Sequence, residues 1–228
     1  CGNIAETYFR AQEYFNNINF VACADINFDA AKKTAEQYNI IPLSVDEILN
    51  DKNVDIILNL TIPQAHYEIS KRALEANKHV YCEKPMSVKF DDAKDLLNLA
   101  SKKSLYIGNA PDTFLGGGGQ QARKIIDNNG VGQILTGNFI FAFPGVQDFH
   151  PNPESWFQEG GGPVIDMGPY FFTTLVNLLG PAKNIRGRGA KFFEKREYKA
   201  GPKKGQTFNV DIPTSYMFNI EFQNKAIV

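Results

Sequence analysis

Between residues 2 and 109 the chain alternates short apolar runs with amphipathic stretches. Ile4, Tyr8, Ala11 and Phe15 recur at helical spacing, and the apolar run 20–24 then reads as a strand that stops at Asp25. The Ala-, Lys- and Glu-rich segment 28–38 predicts a helix, and 45–49 a shorter one. The compact run 54–59 suits a strand buried on both faces. Helical spacing returns over 64–76 and 88–100, with strands at 79–82 and 105–108. Strands alternating with helices of this length predict βαβ units in a doubly wound parallel sheet, a Rossmann-like α/β fold.

The texture changes near Pro111. Four glycines, 116–119, lead into a helix-like stretch at 121–128. Long β-patterned stretches follow at 133–143, 185–194 and 211–222, interrupted by one helix near 168–179. Strand-rich sequence after a βαβ block predicts a second, α+β domain on a largely antiparallel open sheet. The boundaries are therefore 1–110 for a dinucleotide-binding domain and 111–228 for a substrate-binding and oligomerisation domain. The chain opens at Cys1-Gly2 on helical pattern and closes within an alternating segment, 216–228. It reads as a fragment, with the first strand of the parallel sheet missing and the second domain incomplete at its C-terminus.

Composition narrows the function classes. Of 228 residues, 24 are Lys or Arg and 25 are Asp or Glu, a net charge of −1. That balance disfavours nucleic acid and anionic membranes as partners. No apolar run approaches the roughly 20 residues of a membrane span. Three cysteines without ligand spacing argue against a zinc module or a disulfide scaffold, so no metal is expected and a cytoplasmic location is. The segment 191–204 carries six basic residues against two glutamates. It reads as a solvated hairpin tip, with a specific anion site as the sharper alternative.

Four features carry candidate chemistry. Gly2-Asn3-Ile4-Ala5 opens a helix, and Asp25 stands 23 residues beyond Gly2 at a strand end. A glycine turn lets backbone amides meet a pyrophosphate, and an acid about 20 residues on accepts from ribose hydroxyls. A plain Gly-Asn turn before a helix accounts for the same residues. If a nicotinamide dinucleotide binds, Asp25 favours NAD, because a carboxylate repels a 2′-phosphate. Next come Thr61-Ile-Pro63 and His66 just past a strand, where doubly wound folds bind ligands; a capped helix with His66 in its first turn is the bland account. Glu83-Lys84-Pro85 follows the strand 79–82, and Pro85 pushes Lys84 into an extended conformation. A lysine there could orient a substrate hydroxyl and stabilise a developing alkoxide, whereas a surface Glu-Lys pair is the common alternative. The fourth feature is the segment 160–170. Three glycines allow close backbone approach, and Asp166 and Tyr170 stand four apart. The polar-aromatic loop just upstream, with His150 and Trp156, has a composition that suits sugar binding.

Taken in order, these residues resemble the glucose–fructose oxidoreductase/inositol dehydrogenase (Gfo/Idh/MocA) family over essentially the whole chain. The resemblance implies a Rossmann domain, a C-terminal α/β domain whose open sheet often mediates homo-oligomers, and hydride transfer between NAD(P) and a sugar or cyclitol carbon. It implies that Lys84 is the lysine of the Glu-Lys-Pro motif and that Asp166 is the aspartate of an Asp-x-Gly-x-His motif. The family histidine falls on Tyr170. Imidazole titrates near neutrality and phenol near 10, so Tyr170 and Lys84 are expected to share proton transfer with Asp166 orienting. Cofactor contacts are expected from Gly2, Asn3, Ile4, Asp25, Thr61, Pro63, His66, Glu83 and Lys84. Substrate contacts are expected from Asn109, His150, Trp156, Asp166 and Tyr170. The resemblance also permits a non-catalytic NAD(P)-binding sensor or an NAD-dependent glycosidase.

Overall fold

The computed structural model describes residues 1–150 and 152–228; Pro151, in the polar-aromatic loop, lies outside them. The chain folds as two units, Cys1–Ala110 and Pro111–Val228.

In the first unit, helices α1 (Ala5–Ala11), α2 (Phe28–Tyr38), α3 (Val45–Asn50), α4 (Pro63–Glu75) and α5 (Phe90–Lys102) alternate with five strands. The strands are β1 (Ala22–Ala24), β2 (Ile41–Leu43), β3 (Ile56–Asn59), β4 (His79–Cys82) and β5 (Ile107–Asn109). Local sequence sets the boundaries. Asn27 caps α2 by accepting the Asp29 N–H, and Asn39 ends it in the left-handed region. Ser44 and Glu47 form a reciprocal capping box on α3, and Pro63 occupies the first turn of α4. Every strand pair in this unit is parallel. Leu74 of α4 and Leu96 of α5 are fully buried against Ile57, Val80 and Cys82 of the sheet. Each such leucine contributes about 1.5–3 kcal/mol by leaving water.

The expected parallel strands are present, hydrogen-bonded in two groups, β1-β2 and β3-β4-β5. One expectation for this unit needs correction. The run 54–59 is not buried on both faces: Ile56 is 58% exposed while Ile57 and Asn59 are buried. Apolar composition alone could not separate a two-faced core strand from one covered on a single side.

In the second unit, α6 (Gly117–Asp127) and α7 (Gly168–Leu179) are its α-helices among the described residues, and all its strand pairing is antiparallel. Strand β6 (Ala182–Ala190) pairs with β9 (Ser215–Phe222), and β7 (Lys195–Glu197) with β8 (Thr207–Asn209). The expected antiparallel strands are thus present as two pairs. Of the glycine run, Gly116 is the extended N-cap of α6 and Gly117, Gly118 and Gly119 form its first turn. The stretch 133–143 forms no strand among the described residues beyond an isolated bridge, Thr136 to Ile227. Its period-two pattern has another cause: alternate rings Phe139 and Phe141 both pack on Phe171 of α7, at 4.3 and 5.1 Å between centroids. The basic segment 191–204 holds β7 and most of the turn that leads to β8, and Lys191, Lys199 and Lys203 pair with Glu194, Asp148 and Glu154. Carboxylates thus already answer half of its basic side chains.

Candidate functional site

Parallel register brings the carboxyl ends of three strands level. Asn59 of β3 stands opposite Cys82 of β4, and Cys82 opposite Asn109 of β5. Residues placed just beyond those ends therefore share one edge of the sheet, where doubly wound folds bind ligands.

Asn59 organises the first loop on that edge. It is 2% exposed, and its amide is fully used. Nδ2 donates to the His66 carbonyl and to Ser70 Oγ, each at 3.0 Å. Oδ1 accepts the Thr61 hydroxyl at 2.7 Å and the Thr61 N–H at 3.2 Å. The turn into α4 is thus built from within, with Pro63 at the helix start.

His66 faces inward. It is 1% exposed, and its ring nitrogens face two backbone carbonyls, Nε2 at 2.9 Å from Thr61 O and Nδ1 at 2.5 Å from Pro85 O. It ties the Thr61 turn to the Glu83-Lys84-Pro85 turn. That second turn is held from other sides too. Asn109 Nδ2 donates to the carbonyls of Cys82 and Glu83, at 2.8 and 3.1 Å. Glu83 Oε2 accepts the Lys84 N–H at 2.7 Å, and Glu83 Oε1 accepts the Tyr8 hydroxyl at 3.0 Å. Glu83 and Asn109, expected to touch cofactor and substrate, hold the backbone around Lys84. Burial pushes the neighbouring Cys82 thiol up to about 12, against a smaller opposing pull from Ser70.

On the other sheet, β1 delivers Asp25. Asp25 Oδ1 accepts the Asn27 N–H at 2.9 Å, and Oδ2 lies 3.2 Å from the backbone nitrogen of Cys1. The glycine turn at Gly2 and the acid 23 residues later are therefore adjacent in space. Gly2, Asn3 and Ile4 are exposed, and a Cβ at Gly2 would meet nothing within 4 Å.

The second unit carries its own cluster. The turn Glu154–Phe157 sets Trp156 against Phe157 and Phe143, and the indole N–H donates to Asp166 Oδ2 at 2.9 Å. Asp166 lies in a π-helical turn, Pro163–Met167, that runs directly into α7, where Tyr170 sits in the first turn. The spacing from Asp166 to Tyr170 thus spans two helical types instead of one α-helical face. The glycines serve this same turn. Gly162 has φ 84°, and a Cβ on Gly161 would lie 2.5 Å from Ser155 O and 2.6 Å from Trp156 O. Gly161 thus approaches the chain's own Trp156 turn, and Gly162 the side chain of Ile212. His150 stays within its loop, its Nδ1 accepting the Asn152 N–H at 3.1 Å.

The ordered set matches known proteins along the chain. The oxidoreductase family with an NAD-binding Rossmann fold matches residues 1–109, and the GFO/IDH/MocA C-terminal domain matches residues 120–228. This chain belongs to the GFO/IDH/MocA family. An uncharacterised oxidoreductase of Schizosaccharomyces pombe is 31% identical over 65% of this chain and 40% of its own length. D-xylose dehydrogenase of Paenarthrobacter nicotinovorans is 26% identical over 75% of the chain and 46% of its own. The chain spans about two fifths to one half of the length of these curated relatives. Among solved structures, apo levoglucosan dehydrogenase has a TM-score of 0.82 at 21% identity, covering 99% of this chain and 63% of that one. A WlbA dehydrogenase from Chromobacterium violaceum, in complex with NADH and UDP-GlcNAcA, has a TM-score of 0.81 at 19% identity, covering 100% and 63%. These likenesses establish the fold: a parallel Rossmann-like unit followed by a unit with antiparallel pairs.

Tyr8 and Asn59 escaped the sequence reading. Asn59 had a visible signal, as the polar residue that closes an apolar run. Tyr8 had none, because its partner lies 75 residues away. No helix among the described residues is long and apolar enough to cross a membrane. No group of three His, Cys, Asp or Glu among them could hold a metal ion.

Proposed function

We propose that this GFO/IDH/MocA chain is the core of an NAD-dependent dehydrogenase acting on a CH–OH group of a sugar, sugar derivative or cyclitol. The observation that carries this reading is the Lys84 turn at the carboxyl edge of the sheet, held through Glu83, Pro85, Asn109 and His66. Family membership and relatives named as dehydrogenases support the class of reaction.

The donor set suits a nicotinamide dinucleotide. Asp25 beside the Gly2 turn offers a carboxylate for adenosine-ribose hydroxyls, and open space over Gly2 accommodates a pyrophosphate close to the backbone. Asn3, Ile4, Thr61 and Pro63 complete the cofactor contacts, with His66 and Glu83 acting from behind. The carboxylate of Asp25 favours NAD over NADP. When bound, the nicotinamide supplies the hydride acceptor or donor.

The chain's own residues do the rest. Lys84 orients the substrate hydroxyl and stabilises its developing negative charge. Tyr170 and Lys84 share the proton-transfer role, with Asp166, held by Trp156, as the orienting residue. His150 and Trp156 contact the remainder of the substrate. Residues 1–110 serve as the dinucleotide-binding domain and 111–228 as the substrate domain. The exposed Tyr216, Met217 and Phe218 on β9 support self-association through the second unit. The sparse, odd set of three cysteines supports a cytoplasmic location.

A second reading rests on Tyr170. Phenol at the family's histidine position favours an NAD-binding sensor without turnover. One experiment separates the two: the intact protein is mixed with NAD or NADP and a panel of aldoses, sugar acids and inositols, and absorbance of the reduced nicotinamide is followed. Steady reduction with one substrate class establishes the dehydrogenase. Tight NAD binding without turnover replaces it by the sensor or, if a chromogenic glycoside is cleaved, by an NAD-dependent glycosidase.

A further inference from the structure

The Lys84 turn has a brace that reaches it from α1. Glu83 divides its carboxylate between two donors, the Lys84 N–H at 2.7 Å and the Tyr8 hydroxyl at 3.0 Å. The ring of Tyr8 meets the ring of Tyr81 edge-on, at 6.5 Å and 63°. Tyr81 stands on β4 next to Cys82, so β4 both carries Glu83 and supports the ring that reaches for it. A phenylalanine at position 8 would satisfy that ring contact. The hydroxyl serves the carboxylate.

We propose that Tyr8 is a positioning residue for Lys84, acting through Glu83. A glutamate side chain has three rotatable bonds, and one hydrogen bond to an adjacent backbone N–H leaves its far oxygen free to turn. The Tyr8 hydroxyl removes that freedom with a charge-assisted bond. Glu83 then stays on the α1 side, its negative charge directed at the Lys84 backbone N–H rather than swinging toward the Lys84 ammonium. The other supports of the turn, His66 and Asn109, grip carbonyl oxygens. Of these three supporting residues, Tyr8 is the one that bonds the carboxylate. The brace also links α1, which follows the Gly2 turn, to the turn that carries Lys84, so the two expected cofactor-contacting stretches move as one body.

The inference rests on the reading of Lys84 as the group that handles the substrate hydroxyl, and the test keeps the two apart. Tyr8→Phe, Glu83→Gln and the double variant would be made in the intact protein, with Tyr14→Phe, 80% exposed, as control. Three quantities are measured: NADH affinity by fluorescence, kcat, and the ¹³C resonance of reductively methylated Lys84, assigned by its loss in Lys84→Arg. Tyr8→Phe is expected to shift the Lys84 resonance and to lower kcat about tenfold, well within the loss that roughly 1 Å of misplacement produces. NADH affinity should stay within about twofold, because the hydroxyl touches no cofactor in this scheme. The double variant should lose no more than Glu83→Gln, since both act through one contact. Additive losses, or an unmoved Lys84 resonance in Tyr8→Phe, would overturn the proposal. If the wild type turns over no substrate, the dehydrogenase reading fails, while the Lys84 resonance still decides the brace.

Discussion

Trp156 donates its indole N–H to Asp166 Oδ2 across 2.9 Å, joining a 3₁₀ turn to the π turn that opens α7. The three glycines between them let the two turns close on each other. An aromatic side chain expected to contact substrate therefore also holds the carboxylate expected to act as the orienting group. In Trp156→Phe the ring still packs against Phe143 and Phe157 but the donor is gone. Turnover should fall about 10- to 100-fold, in the range for displacing a catalytic group, with a stability loss of only about 1 kcal/mol for one hydrogen bond. Steady-state kinetics and a urea melt on the same variant check both halves.

Asn59 is the most heavily used buried amide on the strand edge. Asn59→Ala strips donors and acceptors from Thr61, His66 and Ser70 at once. Partners left unsatisfied in the interior cost about 1–3 kcal/mol each. A loss of at least about 3 kcal/mol in urea denaturation is the expected outcome. A value near zero would show that water replaces the amide and that the Thr61 turn is not built on it.

The proposed preference for NAD over NADP rests on Asp25. Asp25→Ser removes the carboxylate beside the Gly2 turn. The KM for NAD should rise and that for NADP fall, each by about tenfold, which corresponds to about 1.4 kcal/mol. Kinetics with the two cofactors at one substrate concentration measure the switch; an unchanged ratio would remove Asp25 from the cofactor site.

Cys82 links burial to pH. Its thiol is pushed up to about 12, first by burial. In the unfolded chain it ionises near 8.5. The unfolded state therefore binds fewer protons above that value, so stability is complete below about pH 8 and declines as pH rises from there toward the folded value. Cys82→Ala should flatten that decline in melts run from pH 7 to 10. At pH 8 an alkylating reagent should spare Cys82 until urea is added.

The α4–α5 contact gives the opposite sign. Asp95 is held below its ordinary range, chiefly by the Tyr67 hydroxyl at 2.8 Å and then by Lys71. A depressed carboxyl stabilises the fold above its unfolded value of about 3.9 and loses that contribution as pH falls through the folded value. Tyr67→Phe should melt below the wild type at pH 6, with the gap closing at pH 3.

Much of the first unit was legible because its signals are local. Caps at Asn27 and Ser44, Pro63 at a helix start and apolar runs at 79–82 mark their own elements. The four motifs were visible for a similar reason, since glycine turns and Lys-Pro steps constrain their own backbone. Pattern could not say what each side chain meets. The alternation at 133–143 was real, yet its phenylalanines pack on α7 and its backbone forms no ladder. Period two reports alternating faces, whereas a strand also needs a partner edge supplied from elsewhere.

By itself, then, the sequence determined the alternation of strands and helices, the change of texture near Pro111, and which residues are candidates for the chemistry. Only the tertiary structure decided what each of them packs against. His66 turned inward toward Pro85 O, Glu83 was drawn to Tyr8, and Gly161 met the Trp156 turn. Each of these outcomes depends on groups brought together by parallel register or by turn closure across the chain. Such distances follow from the packing of the whole unit, and no local spacing encodes them.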